Sequence, residues 1–188
     1  AEQALPKAAA AASKLSAVNT GVHVEARVVD LTADNAEELL LPAGVILDGT
    51  DNFETRYLLN DVAVKHGVAW LYGAAVSSYG VTMPVLPGQS ACLACIFPEP
   101  PNTVQPTCDT AGILNAITSL IASLQVADAL KILCGHQDLV EARLLTADVW
   151  NNSFRTVSPG SGAVMTAPMT AIPRAPSPTT SVARFGVI

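Results

Sequence analysis

Asp48-Gly49-Thr50-Asp51-Asn52-Phe53-Glu54-Thr55-Arg56-Tyr57-Leu58-Leu59-Asn60 is the stretch on which the reading of this chain turns. Gly44-Val45-Ile46-Leu47 before it is a continuous apolar run, as expected of a parallel strand covered on both faces. After it, Phe53, Tyr57, Leu58, Val62 and Val64 give an apolar helical face that runs to His66 and is closed by Gly67. A strand's carboxyl end handing over to a helix's amino end is a place where backbone amides and a carboxylate can jointly organise a phosphate and its magnesium. The same residues also read as a capping box, with Asp51 accepting from first-turn amides and Glu54 reaching back. Asn52, Arg56 and Asn60 share one helix face at i, i+4 spacing, a polar stripe that suits either a ligand or open water.

Upstream, Pro6 to Val18 is an alanine-rich helix with the proline in its first turn, and Val22, Val24, Ala26 and Val28 alternate with polar residues as a half-buried strand. Asn35 to Leu40 reads as a short helix. Downstream, Ala69–Val76 and Val81–Leu86 are strands separated by the turn residues Ser77 to Gly80. Proline crowds Pro98 to Pro106 into a crossover loop. A helix from Ile113 to Leu133 ends before Gly135, and Arg143–Val149 resumes as a strand that turns at Asn151-Asn152 into Phe154–Val157. This alternation predicts an α/β fold: a Rossmann-like, mainly parallel sheet with flanking helices and a mixed or antiparallel C-terminal extension. One domain is expected over 1–157, and the Pro-, Ser- and Thr-rich residues 158–188 read as a linker-like or disordered tail.

A net charge of −6 argues against nucleic acid or an anionic membrane as the main partner, since both need a basic surface. No charged-then-apolar leader opens the sequence, so a cytoplasmic location is expected. The apolar stretch Ile113–Cys134 carries Asn115, Ser119, Gln125, Asp128 and Lys131, too polar a set for an ordinary lipid span. Cysteine usage without a secretion signal points to metal or thiol chemistry before disulfides. Cys92-Leu93-Ala94-Cys95 has the spacing of half a tetrahedral zinc site; the plain alternative is two reduced cysteines. Cys108 lies just before a helix start, which lowers a thiol pKa, while adjacent Asp109 opposes this; the alternative is a small buried residue. Lys7, taken by itself, reads as a solvated helix end.

Asp48 to Asn60 closely resembles the signature of the ThiF/MoeB/HesA adenylating family, which is related to the ubiquitin-activating enzymes. Later features follow in that family's order: Tyr72-Gly73-Ala74-Ala75, Cys92-Leu93-Ala94-Cys95, Thr107-Cys108-Asp109-Thr110-Ala111-Gly112 and Ser123-Leu124-Gln125. Pro6-Lys7-Ala8 with the alanine-rich helix and Asn19 is similar to the family's lysine segment, so the resemblance spans about Lys7 to Val157. It implies that Asp51 holds magnesium between the nucleotide phosphates, that Lys7 contacts the nucleotide, and that Asn52 and Arg56 occupy neighbouring cofactor-binding positions. It further implies a zinc-site remnant at Cys92 and Cys95, because the family's second Cys-x-x-Cys pair does not occur in this sequence. Cys108 matches the cysteine that, in sulfur-transferring branches, links covalently to the carrier or accepts sulfur.

The implied activity is an ATP-dependent adenylyltransferase that activates the C-terminal glycine carboxylate of a ubiquitin-like sulfur carrier ending in Gly-Gly, of the thiamine or molybdopterin biosynthesis type. A carboxylate attacking the α-phosphate of ATP meets like-charge repulsion, which a lysine and a metal ion would offset. The resemblance also implies a homodimer to which the long apolar helix contributes. The family's Gly-rich phosphate loop should precede Lys7, and residues 1–6 do not supply it. A fragment or a degenerate homologue is therefore expected, one that would not catalyse adenylation as this stretch alone. The competing reading is a catalytically inactive α/β dimerisation or docking module.

Overall fold

The structure, a computed structural model, describes residues 4–98 and 112–158, with the backbone of 185–187. In chain order the elements are α1 (Lys7–Val18), β1 (Val24–Ala26), α2 (Ala36–Leu40), β2 (Ile46–Leu47), α3 (Phe53–His66), β3 (Trp70–Val76), β4 (Tyr79–Val85), α4 (Leu93–Ile96), α5 (Asn115–Leu133), a 3-10 turn (Gln137–Leu139), β5 (Leu144–Asp148), β6 (Ser153–Val157) and β7 (Phe185–Val187). The chain divides into two compact units, one drawn from 1–44 and 167–188, the other from 45–166.

In the first unit, Pro6 precedes the first residue of α1 and contributes its carbonyl to the Ala10 amide, so the missing proline donor costs the helix nothing. The alternating segment expected from Val22 to Val28 is a strand only over Val24–Ala26, which pairs parallel with Phe185–Val187. The remainder of the tail, 159–184 and 188, lies outside the described residues.

The second unit holds a five-stranded sheet of order β2-β3-β4-β5-β6 with helices on it, so the α/β class stands. Among the described strands of this sheet only β2 and β3 run parallel; β3–β4, β4–β5 and β5–β6 are antiparallel. The connections explain the first two pairings. Helix α3 is long enough to return the chain for a parallel pair, whereas two residues between β3 and β4 permit only a hairpin. That turn places Ser77 at φ 54°, a left-handed conformation costly for a residue with a Cβ.

Helix α5 lies on one face of β3 and β4 and buries Ile117, Ile121, Gln125 and Ala129, four residues at i, i+4 spacing. Two glycines let it come close. A Cβ at Gly80 would lie 2.7 Å from Ile117 and Ile121, and one at Gly73 would lie 2.5 Å from Gln125 Nε2. On the opposite face, Trp70 and Tyr72 of β3 are buried beside α3, with ring centroids 5.7 Å apart. Helix α5 is long and apolar enough to cross a membrane by length and composition alone, but its Ile117–Ala129 stripe is the face packed on the sheet.

Candidate functional site

The parallel pairing of β2 with β3 ends at Leu47↔Leu71, and there the chain passes from backbone ladder to side-chain ties. Asp48 still donates its amide to Leu71 O at 3.0 Å, but its carboxylate turns inward: Oδ1 accepts from the Thr50 amide at 2.8 Å and the Thr50 hydroxyl at 2.7 Å. Arg56 reaches back from the first turn of α3 and donates Nη2 to Thr50 O at 2.6 Å. Its Nε stands 3.6 Å from Asp48 Oδ2, a charge contact too long for a hydrogen bond. The guanidinium also sits 5.4 Å from the Phe53 ring centroid and 5.8 Å from that of Tyr72. Burial pushes the Asp48 carboxyl above its ordinary value, and the Thr50 amide and hydroxyl, the Arg56 charge and the Gly73 amide only partly offset this.

Asn52 caps α3: its backbone is extended and its Oδ1 accepts from the Thr55 amide at 2.8 Å. This rules out the alternative reading in which Asp51 caps the helix. With the cap filled by its neighbour, the exposed Asp51 carboxylate makes no hydrogen bond or ion pair with any described residue. The solvent-facing alternative for the Arg56–Asn60 stripe is also corrected, since both side chains are buried. An i, i+4 polar stripe looks the same in sequence whether it meets water or a buried carboxylate. Arg56 thus clamps the turn from β2 into α3.

One helical turn further, Asn60 Oδ1 accepts from the Leu93 amide at 2.8 Å, and Tyr57 donates its hydroxyl to Phe97 O, so α3 is stitched to α4 at both ends. Cys92 is the residue before α4 and Cys95 lies within it; their Sγ atoms are in hydrogen-bond contact at 3.1 Å, with no disulfide between them. Burial, then the contact with Cys95, pushes the Cys92 thiol up. No group of three or more His, Cys, Asp or Glu side chains able to hold a metal ion occurs among the described residues. Among the described residues the pair is two ligands short of a tetrahedral zinc set, and those residues do not fit that metal. Lys7 is the exposed first residue of α1, in the other unit. Cys108 lies outside the described residues. A hollow of about 450 Å³ is lined by Ser77, Ser78, Gly112, Ile113, Leu114 and Trp150, none of them given a functional role from sequence.

Sequence reasoning gave no role to Gln125, whose Nε2 donates to Asp48 O at 3.0 Å and Leu71 O at 2.8 Å. The available signal was its place in the stripe Ile117, Ile121, Gln125, Ala129: a polar residue at a core position of an otherwise apolar helix face.

Residues 1–163 match the ThiF family. The Bacillus subtilis (strain 168) protein named sulfur carrier protein ThiS adenylyltransferase is 47% identical over 148 residues, covering 79% of this chain and 43% of that protein. The Thermus thermophilus sulfur carrier protein adenylyltransferase is 39% identical over 159 residues, covering 81% of this chain and 59% of that protein. The chain thus spans about half the length of these curated relatives. A crystal structure of E. coli MccB with ATP matches with a TM-score of 0.68 over 84% of this chain and 48% of that one, at 13% identity, a likeness of fold alone.

Proposed function

The chain belongs to the ThiF family, and on that premise we propose that it forms part of an ATP-dependent adenylyltransferase acting on the C-terminal glycine carboxylate of a ubiquitin-like sulfur carrier. In the proposed step a carboxylate oxygen of the carrier attacks the α-phosphorus of ATP, the bond to the β-phosphate oxygen breaks, and pyrophosphate leaves an acyl-adenylate behind. The names of relatives from Bacillus subtilis and Thermus thermophilus support the substrate class. The pathway is proposed to be of the thiamine or molybdopterin type.

The observation that carries this reading is Asp51: a carboxylate at a strand-to-helix junction, with the helix cap supplied by Asn52 instead. An exposed carboxylate without an internal partner suits magnesium, which takes one or two protein carboxylates and otherwise keeps water or phosphate oxygens. Bound there, magnesium would neutralise charge on the phosphate oxygens. Asp51 is proposed to hold it, Arg56 and Asn52 to fix the backbone from which Asp51 projects, and Lys7 to contact the nucleotide on the strength of the family resemblance. Cys108 is proposed as the sulfur-transfer cysteine, and no step is assigned to zinc. A homodimer is supported by the outer face of α5, where Val126, Leu130 and Leu133 are exposed. A cytoplasmic location goes with this reading, as does an adenylation domain over 1–157.

The test is carrier-dependent ATP–pyrophosphate exchange by the protein as expressed from its gene. Asp51→Asn should keep the thermal midpoint and lose roughly a hundredfold or more of the exchange rate, the scale on which a removed electrostatic group acts. Full magnesium-dependent exchange by that variant would overturn the assignment.

A further inference from the structure

Gln125 is 5% exposed, although burying an amide is costly unless its donors are used. Both acceptors that face Nε2 are backbone carbonyls, so only the amino end of the side chain satisfies them. They belong to different strands. Leu71 O already receives the Asp48 amide within the ladder, whereas Asp48 O lies one residue beyond the last β2–β3 pair. Gln125 thus bridges the two parallel strands at the point where β2 leaves the sheet. Gly73 makes the joint possible, because a Cβ there would stand 2.5 Å from Nε2 and 2.8 Å from the side-chain carbonyl carbon. Residues of β3, α5 and the end of β2 are fitted to one another around a single amide.

We infer that Gln125 is a positioning residue for the magnesium-nucleotide site: its amide holds the Asp48 carbonyl, fixes the direction in which 48–52 leaves the sheet, and so sets where Asp51 projects. This rests on the reading of Asp51 given above. Gln125 touches no reacting atom and acts only through the backbone. A purely structural role would lower stability and leave cation affinity unchanged.

Three measurements on the protein as expressed from its gene decide the matter. Amide hydrogen exchange without nucleotide reads the loop alone: Gln125→Met, close in volume but without donors, should speed exchange at 49–52. Manganese binding followed by electron paramagnetic resonance, with a non-hydrolysable ATP analogue, should weaken about tenfold, the scale on which outer groups tune metal affinity. Gly73→Ala should weaken it similarly by displacing the amide, yet have little further effect in Gln125→Ala, where nothing remains to displace. Unchanged manganese affinity in folded Gln125→Met overturns the inference, as does full additivity of Gly73→Ala and Gln125→Ala. If Gln125→Met fails to fold, Gly73→Ala reads the same joint, and unchanged affinity there is equally decisive. Failure of the underlying function is separable: manganese affinity would then be indifferent to Asp51→Asn, while faster exchange at 49–52 in Gln125→Met would still appear.

Discussion

Asp48 and Asp148 stand at the same kind of place, each where a strand ends in a turn, and each accepts a similar set of hydrogen bonds. Asp48 Oδ1 takes the Thr50 amide and hydroxyl; Asp148 Oδ1 takes the Trp150 amide at 3.0 Å and the Ser78 hydroxyl at 2.9 Å, while its Oδ2 takes Asn151 Nδ2 at 2.6 Å. Both contain the i+2 amide bond of an Asx turn. Their acidities nevertheless move in opposite directions, up at Asp48 because it is buried and down at Asp148 because of its bonds to Asn151 and Ser78. The hydrogen bonds are alike, and burial decides the sign. Asp148 shapes an exposed hairpin, whereas Asp48 has to be held from several sides, and those holds fix the exit from β2 at which Asp51 stands.

The comparison breaks most directly at Arg56. Removing it leaves the Asp48 carboxylate buried with no charge partner and frees Thr50 O, so Arg56→Ala should cost about 3 kcal/mol in urea unfolding, the scale of a broken buried pair. Asp48→Asn in the Arg56→Ala background should cost much less than it does alone, because no buried charge is then left unpaired. Additive losses would mean that the 3.6 Å contact is incidental and that Asp48 is held by its hydrogen bonds from Thr50 and Gly73, as Asp148 is held by its own turn.

A smaller effect is expected at Asn52, which secures the far side of the same turn. Asn52→Ala should cost about 1 kcal/mol, the usual value of a lost cap, again by urea unfolding. No loss would indicate that Asp51 has been drafted as the cap, and magnesium-dependent exchange should then fall although Asp51 is intact.

Much of this region was legible in sequence, and the limits were physical. The apolar run into Asp48 and the spacing of α3 gave the strand-to-helix handover. Asp51 and Asn52 are adjacent and both good caps, so composition could not tell which would fill the role; the extended backbone at Asn52 and its bond from the Thr55 amide decide it. Arg56 was visible on the right face, but its burial depends on where Asp48 turns, which no local pattern records. The sheet was expected to be mainly parallel because strands and helices alternate, yet the two-residue link between β3 and β4 forces that pair antiparallel, and β4–β5 and β5–β6 are antiparallel as well. The alternation from Val22 to Val28 marks a strand at β1, but nothing in it names β7 as the partner, since the two segments are distant in sequence.

The smallest expected effect separates the two aspartates by sign. At Asp48 the folded-state value lies above the ordinary 3.8, so the folded protein binds the proton more readily than the unfolded chain. Its contribution favours folding below 3.8 and is lost as pH rises through the raised folded value. At Asp148 the folded-state value lies below 3.8, so its contribution is complete above that pH and is lost as pH falls through the lowered value. Urea unfolding measured across the acidic range should therefore change slope in opposite senses in the two variants. Asp48→Asn should remove a decline in stability with rising pH, and Asp148→Asn should remove a shallower rise, shallower because Asp148 is partly solvated and its bonds are local to one turn. Slopes of the same sign would show that burial does not dominate at Asp48, and that Arg56 and Thr50 hold its carboxylate charged as firmly as Asn151 and Ser78 hold that of Asp148.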